Sequence, residues 1–140
     1  MIQILRKLFK FWLPPLLWAV LIFYFSSLSL PETSEIYWKD FIVKKSAHVI
    51  EYAVLTILLY RGFRNNGIKD RNAGILAMTL AILYASSDEF HQSFVPGREP
   101  RVRDVVFDTI GASLAIYSLW NLLPKASKKL KDLANKLQLI

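Results

Sequence analysis

FWLPPLLWAVLIFYFSSLSLP, residues 11–31, contains no charged side chain. A helix needs about 20 mostly apolar residues to cross the hydrocarbon core of a bilayer, and this run supplies them. Lys7 and Lys10 stand just before it. Trp12, Trp18 and Tyr24 within it are of the aromatic type that anchors a helix at the membrane–water interface. Pro14 and Pro15 fall near the start of the run, where a helix tolerates proline best. The stretch predicts a membrane-spanning helix.

Three further apolar runs follow. Residues 44–60 form a shorter run that holds His48 and Glu51; residues 72–87 are free of charge; residues 104–123 carry Asp108 near their start. Each is at the short end for a span, a mismatch that snorkelling Lys and Arg or local bilayer thinning absorbs. The expected fold is all-α: a polytopic, four-transmembrane-helix bundle over residues 1–124, followed by a basic amphipathic tail over 125–140. In the tail, Leu130, Leu133, Leu137 and Ile140 recur at helical spacing among Lys128, Lys129, Lys131 and Lys136. Such a helix lies on a membrane surface, held by apolar burial and anionic headgroups.

Composition agrees. Apolar residues make up 54% of the 140 and the mean hydropathy is +0.30, yet 21% are charged. Both hold because the charges gather in short connectors. The connector 31–43 is mixed in sign, 61–71 is basic around Asn65-Asn66-Gly67, and 88–103 is centred on Pro96-Gly97. Pro96-Gly97 reads as a type II turn with glycine at positive φ, aiming Arg98 back toward the bundle. The absence of cysteine excludes disulfides and thiolate metal sites. The net charge of +7 does not point to nucleic acid, because the basic residues flank apolar segments instead of forming one stripe. That pattern fits membrane lipids as partners.

Orientation follows from the positive-inside rule. Arg6, Lys7, Lys10, Arg61, Arg64, Lys69, Arg71 and the tail lysines fall on one side, about twice as many as Lys39, Lys44, Lys45, Arg98, Arg101 and Arg103 on the other. Both termini of this multi-pass cell-membrane protein are therefore expected in the cytoplasm. His48 and Glu51, Asp88 and Glu89, and Asp104 and Asp108 then meet at one depth near the outer face.

An ionisable residue inside a membrane helix costs at least about 2.5–3.5 kcal/mol near the bilayer centre and usually faces protein or water. On the second helix Lys45, His48 and Tyr52 share a face, with Glu51 beside His48; on the fourth, Asp104, Asp108 and Gly111 do. Turned inward, they form a polar pocket with the Asp88–Gln92 stretch, which includes His91. Three chemistries fit. The carboxylates can pair with Lys45, Arg98, Arg101 and Arg103 purely to fix packing. The pocket can recognise the headgroup of a lipid or lipid-linked molecule, with Lys45, Tyr52, Gln92, Arg98, Arg103 and Asp108 as binding residues and the cations meeting a phosphate or carboxylate. Or it can catalyse, with His48, Glu51, Asp88, Glu89 and Asp104 as acid–base or nucleophilic groups. In that case His48, Glu51 and Asp88 are candidate ligands for a divalent metal: Mg²⁺ or Mn²⁺ by oxygen content, Zn²⁺ if both histidines serve.

At these residues the chain resembles the VanZ-like family of small membrane proteins. The resemblance is carried by Lys45-x-x-His48-x-x-x-Tyr52, Asp88-Glu89-x-x-Gln92, Pro96-Gly97-Arg98, Asp104 and Gly111. It implies a four-helical fold and a cell-envelope role affecting sensitivity to glycopeptide or lipophilic antibiotics, as in the member that raises teicoplanin resistance. Asp108 stands where the family more often has an amide. The alternative function is a membrane-embedded phosphatase acting on a phospholipid or isoprenoid phosphate.

Overall fold

The computed structural model describes residues 2–28, 37–98 and 100–140. Five α-helices account for most of them: α1 Ile2–Ser27, α2 Tyr37–Asn65, α3 Asp70–Gln92, α4 Val102–Tyr117 and α5 Lys128–Lys136. There is no strand among the described residues. The end of the first apolar run at 29–31 and the connector as far as residue 36 lie outside them.

The helices run past the apolar segments that announce them. α2 is already helical at Lys39, Lys44 and Lys45 and continues through Arg61 and Arg64, and α3 includes Asp88 to Gln92. Apolar runs mark the part of a helix suited to hydrocarbon; charged residues that form helices well simply extend it. The 88–92 stretch is thus the last turn of α3, not connector. The early start of α1 likewise places Pro14 and Pro15 in the helix interior. Each proline frees the carbonyl four residues back, on Lys10 and Phe11. Helix α2 packs against both. Arg61 Nη1 lies 3.5 Å from the Lys10 carbonyl, and Gly62 comes so close to α1 that a Cβ there would sit 3.3 Å from the Phe11 oxygen.

Helix α2 lies between α1 and α4, and α3 packs against all three. Lys45 and His48 of α2 bond Asp104 and Asp108 of α4, so these two helices run parallel. The last turns of α1 and α3 lie at the same end, which makes neighbouring helices alternate in direction. Packing is close because the contact residues are small. Ala73, Ala77, Ala81 and Ala85 form a fully buried stripe along α3. Gly111 of α4 rides on α2 so tightly that a Cβ would be 2.2 Å from the Val49 carbonyl oxygen. Small residues permit backbone approach of this kind between membrane helices, where packing rather than apolar burial drives association.

At the far end, Gly67 (φ 90°) closes α2 in a Schellman turn: its N–H bonds Arg64 and that of Ile68 bonds Phe63. Helix α4 continues through a π-helical turn, Ser118–Leu122, and a short 3₁₀ turn, Leu123–Lys125. By length and composition, Leu5–Ser27 and Val102–Lys125 can each cross a membrane; among the described residues α2 and α3, with more charge, do not meet that measure. The tail helix packs on this end of the bundle while Leu130, Leu133, Leu137 and Ile140 stay exposed. Ala134 is buried, Leu139 packs into the apolar cluster around Tyr60 and Ile116, and Asn65 Nδ2 donates to the Gln138 carbonyl at 2.9 Å.

Candidate functional site

The stripes that build the core deliver polar residues to one end of the bundle. Below Ala81 and Ala85, the next positions of the α3 stripe are Asp88 and Gln92, and both are buried. On α2 the stripe through Tyr52 and Leu55 continues to His48 and Lys45. On α4 the stripe through Gly111 and Ala112 continues to Asp108 and Asp104. These side chains must pair or face a cavity, and they do both.

Lys45 Nζ bonds Asp104 Oδ1. One turn deeper, His48 Nδ1 lies 2.9 Å from Asp108 Oδ1, a carboxylate only 3% exposed. Gln92 Nε2 donates to Asp88 Oδ2 at 2.9 Å. The Val95–Arg98 turn has the expected form: Arg98 N–H bonds the Val95 carbonyl and Gly97 has φ 79°. It returns Arg98 to α1, where Nε donates to Leu28 O at 3.1 Å and Nη2 to Phe25 O at 2.9 Å, a carbonyl that also accepts the Leu28 N–H.

A cavity of about 150 Å³ lies among these groups. Lys44, Lys45, Ala47, His48, Glu51 and Tyr52 of α2 line one wall; Asp88 and Gln92 of α3, Arg98 and Asp104 another. Helix α1 closes it with Ile22, Phe25 and Ser26. Three polar atoms of these lining residues are buried with no hydrogen-bond partner among the described residues: Ser26 Oγ, Tyr52 Oη and Asp88 Oδ1. Their residues are 7%, 1% and 5% exposed.

The sequence-predicted site residues divide accordingly. His48, Glu51, Asp88, Asp104, Lys45, Tyr52, Gln92 and Arg98 surround the cavity. Asp108 stands behind His48, where it orients the imidazole, instead of on the wall. Glu89 accepts the backbone N–H of Arg101 and ties α3 to the start of α4. Beyond the apolar span of α3, burial pushes the Glu89 carboxyl above its ordinary pKa, while the Arg101 N–H pulls it down. Arg103 lies over the Phe41 ring at 5.2 Å, half-exposed and 3.9 Å from Asp104. His91 stacks on Phe23, centroids 4.3 Å apart, so the cavity has one imidazole, not two. No three His, Asp or Glu side chains among the described residues are grouped to hold a metal ion, and His48 Nδ1 is already engaged by Asp108. The contribution of α1 is not foreseen from the sequence. Its one signal was Ser26, a hydroxyl on the stripe Pro15, Ala19, Ile22.

A family model described as VanZ/LLP1 matches residues 11–123. The chain belongs to the VanZ/LLP1 family. The match takes in every element that contributes to the cavity and leaves out α5. No curated protein and no solved structure matches the chain. The VanZ/LLP1 assignment and the cavity therefore rest on separate observations that cover the same helices.

Proposed function

We propose that this VanZ/LLP1 protein crosses the cell membrane four times, with both termini in the cytoplasm, and binds the polar headgroup of a lipid or lipid-linked molecule in the cavity between its first four helices. The observation that carries this reading is the group of three buried polar atoms, one each on α1, α2 and α3, that belong to cavity-lining residues and have no partner among the described residues. A buried donor or acceptor without a partner costs about 1–3 kcal/mol, so three on residues around one cavity favour a polar occupant. The cavity offers donors at Lys44 and Arg98 and acceptors at Glu51 and Asp88. A headgroup with an anion and an ammonium or hydroxyl, such as phosphoethanolamine, satisfies both sets. A volume of about 150 Å³ admits a group of that size and excludes a whole glycopeptide. Any effect on sensitivity to glycopeptide or lipophilic antibiotics then runs through the lipid and not through capture of the drug.

The test is native mass spectrometry of protein released gently from membranes. One lipid class retained by the wild type and lost from Asp88→Asn and Arg98→Gln, with both variants melting normally, supports the reading. Equal retention of every lipid class by all three proteins overturns it.

The His48–Asp108 pair favours a second reading, hydrolysis of a lipid phosphate. A carboxylate on Nδ1 fixes the tautomer and orientation of the ring, as in acid–base catalysis. Phosphate release from labelled lipid phosphates that disappears in His48→Ala supports it; no release from any of them, with or without Mg²⁺ or Mn²⁺, counts against it.

A further inference from the structure

The stripes that line the polar cavity do not end there. On α1, Ser26 and Ile22 at the cavity are followed at helical spacing by Ala19, Leu16, Pro15 and Trp12. On α2, Tyr52 is followed by Leu55 and Leu59; on α3, Asp88 by Tyr84 and Leu80. These second sets line a separate apolar groove of about 350 Å³, with almost no polar surface. The two spaces are stacked along the same three helices, one polar and one apolar. They adjoin where Tyr84 donates its hydroxyl to the Ala19 carbonyl at 2.6 Å and its ring faces that of Tyr52, centroids 6.3 Å apart. Pockets for small ligands span roughly 300–1,000 Å³ and are mostly apolar with a few placed polar groups, which describes the two spaces taken together.

The geometry points to the apolar groove as the seat of one hydrocarbon chain of the same amphiphile whose headgroup occupies the polar cavity. This rests on the headgroup reading above and adds the path of the tail. The chain leaves the headgroup beside Tyr52, crosses outside the Tyr84–Ala19 hydrogen bond that closes the gap between α1 and α3, and lies in the groove toward Trp12. A polar head joined to an apolar chain suits the continuity of the stripes, because each helix presents charge at one level and carbon one to two turns away. A single chain is specified because about 350 Å³, lined on the α2 side by Leu55 and Leu59, matches one hydrocarbon chain and not two. The ligand class is then a single-chain phospholipid, or a two-chain lipid whose second chain stays in the bilayer.

The test uses dodecylphosphoethanolamine carrying a diazirine near the methyl end of its chain, photolysed with the full-length protein in detergent. Cross-links are expected on Leu16, Leu59 or Leu80, competed away by unlabelled dodecylphosphoethanolamine. Ala19→Trp, which fills the groove, should lower this labelling about tenfold or more, the size of effect overpacking produces. If Ala19→Trp does not accumulate, Leu80→Trp from the opposite wall serves the same purpose. Competable retention that Asp88→Asn abolishes, with cross-links only on bilayer-facing Leu13, Leu17 or Val20, overturns the tail assignment and leaves the headgroup reading intact. No competable binding at all overturns both.

Discussion

Tyr52 is the residue whose chemistry is least explained by packing alone. Its ring is fully buried among Ile22, Leu55 and Ala85, yet its hydroxyl bonds nothing among the described residues. If the hydroxyl served folding, its removal would destabilise the protein. The opposite is expected. Tyr52→Phe removes an unsatisfied buried group, so the ligand-free protein should melt at the same or a higher temperature, with a gain of up to about 1 kcal/mol. Headgroup binding should weaken in the same variant. A loss of stability without a loss of binding would return Tyr52 to the core. The neighbouring charges differ in kind. Lys45 and Asp104, and His48 and Asp108, have found partners, so they fix the mutual position of α2 and α4 as well as bordering the cavity. That the ionisable residues share one level is legible in the sequence, because each apolar run places its charges at a known depth. Which residue pairs with which is not legible. Asp104 and Asp108 lie one turn apart on α4, as Lys45 and His48 do on α2, and only the rotation of α4 on α2 assigns them.

That rotation is set at the scale of the elements by Gly111. With the Val49 carbonyl only 2.2 Å from where a Cβ would stand, α4 is free to approach α2 only as long as residue 111 has no side chain. The obstacle is backbone, which cannot swing aside. Gly111→Leu should therefore part the two helices and break the Lys45–Asp104 and His48–Asp108 pairs together, at a cost of about 3 kcal/mol or more. Detergent-solubilised protein should show this as a lower melting temperature and a shift from monodisperse to aggregated elution. Normal melting would mean that α4 contacts α2 less closely than described here. The same scale explains the sequence's misplaced helix ends. Hydropathy reports where a helix meets hydrocarbon, so α2 and α3 appear too short, and the helical turn holding Asp88 to Gln92 appears to be connector. The prolines of α1 were misplaced for the same reason. Their freed carbonyls meet Arg61 and Gly62, a fit between two helices that no single stretch contains.

At the scale of the whole molecule, the alternating helices and the asymmetry of Lys and Arg are both accommodated by the topology proposed above. Only α1 and the extended α4 are long and apolar enough to cross by their own composition; in the four-crossing arrangement proposed above, α2 and α3 cross as members of a bundle that shelters Glu51, Asp88 and the paired charges from lipid. The cost of those groups in hydrocarbon is several kcal/mol unless they are paired or enclosed, and the bundle does both. Each connector should then lie on a defined side. Because the chain has no cysteine, single substitutions provide unique reporters. Ser93, Asn66 and Ser127 are exposed in the described structure, beyond the ends of α3, α2 and α4 respectively. Ser93→Cys in intact cells should react with a membrane-impermeant maleimide, whereas Asn66→Cys and Ser127→Cys should react only after lysis. Labelling of all three on one side would remove α3 and α4 from the membrane. Labelling inverted at every site would keep four crossings and move the headgroup cavity to the cytoplasmic leaflet. The expected pattern requires α3 and α4 each to cross once and would place the proposed headgroup cavity, with Lys44 and Arg98 beside it, at the outer leaflet.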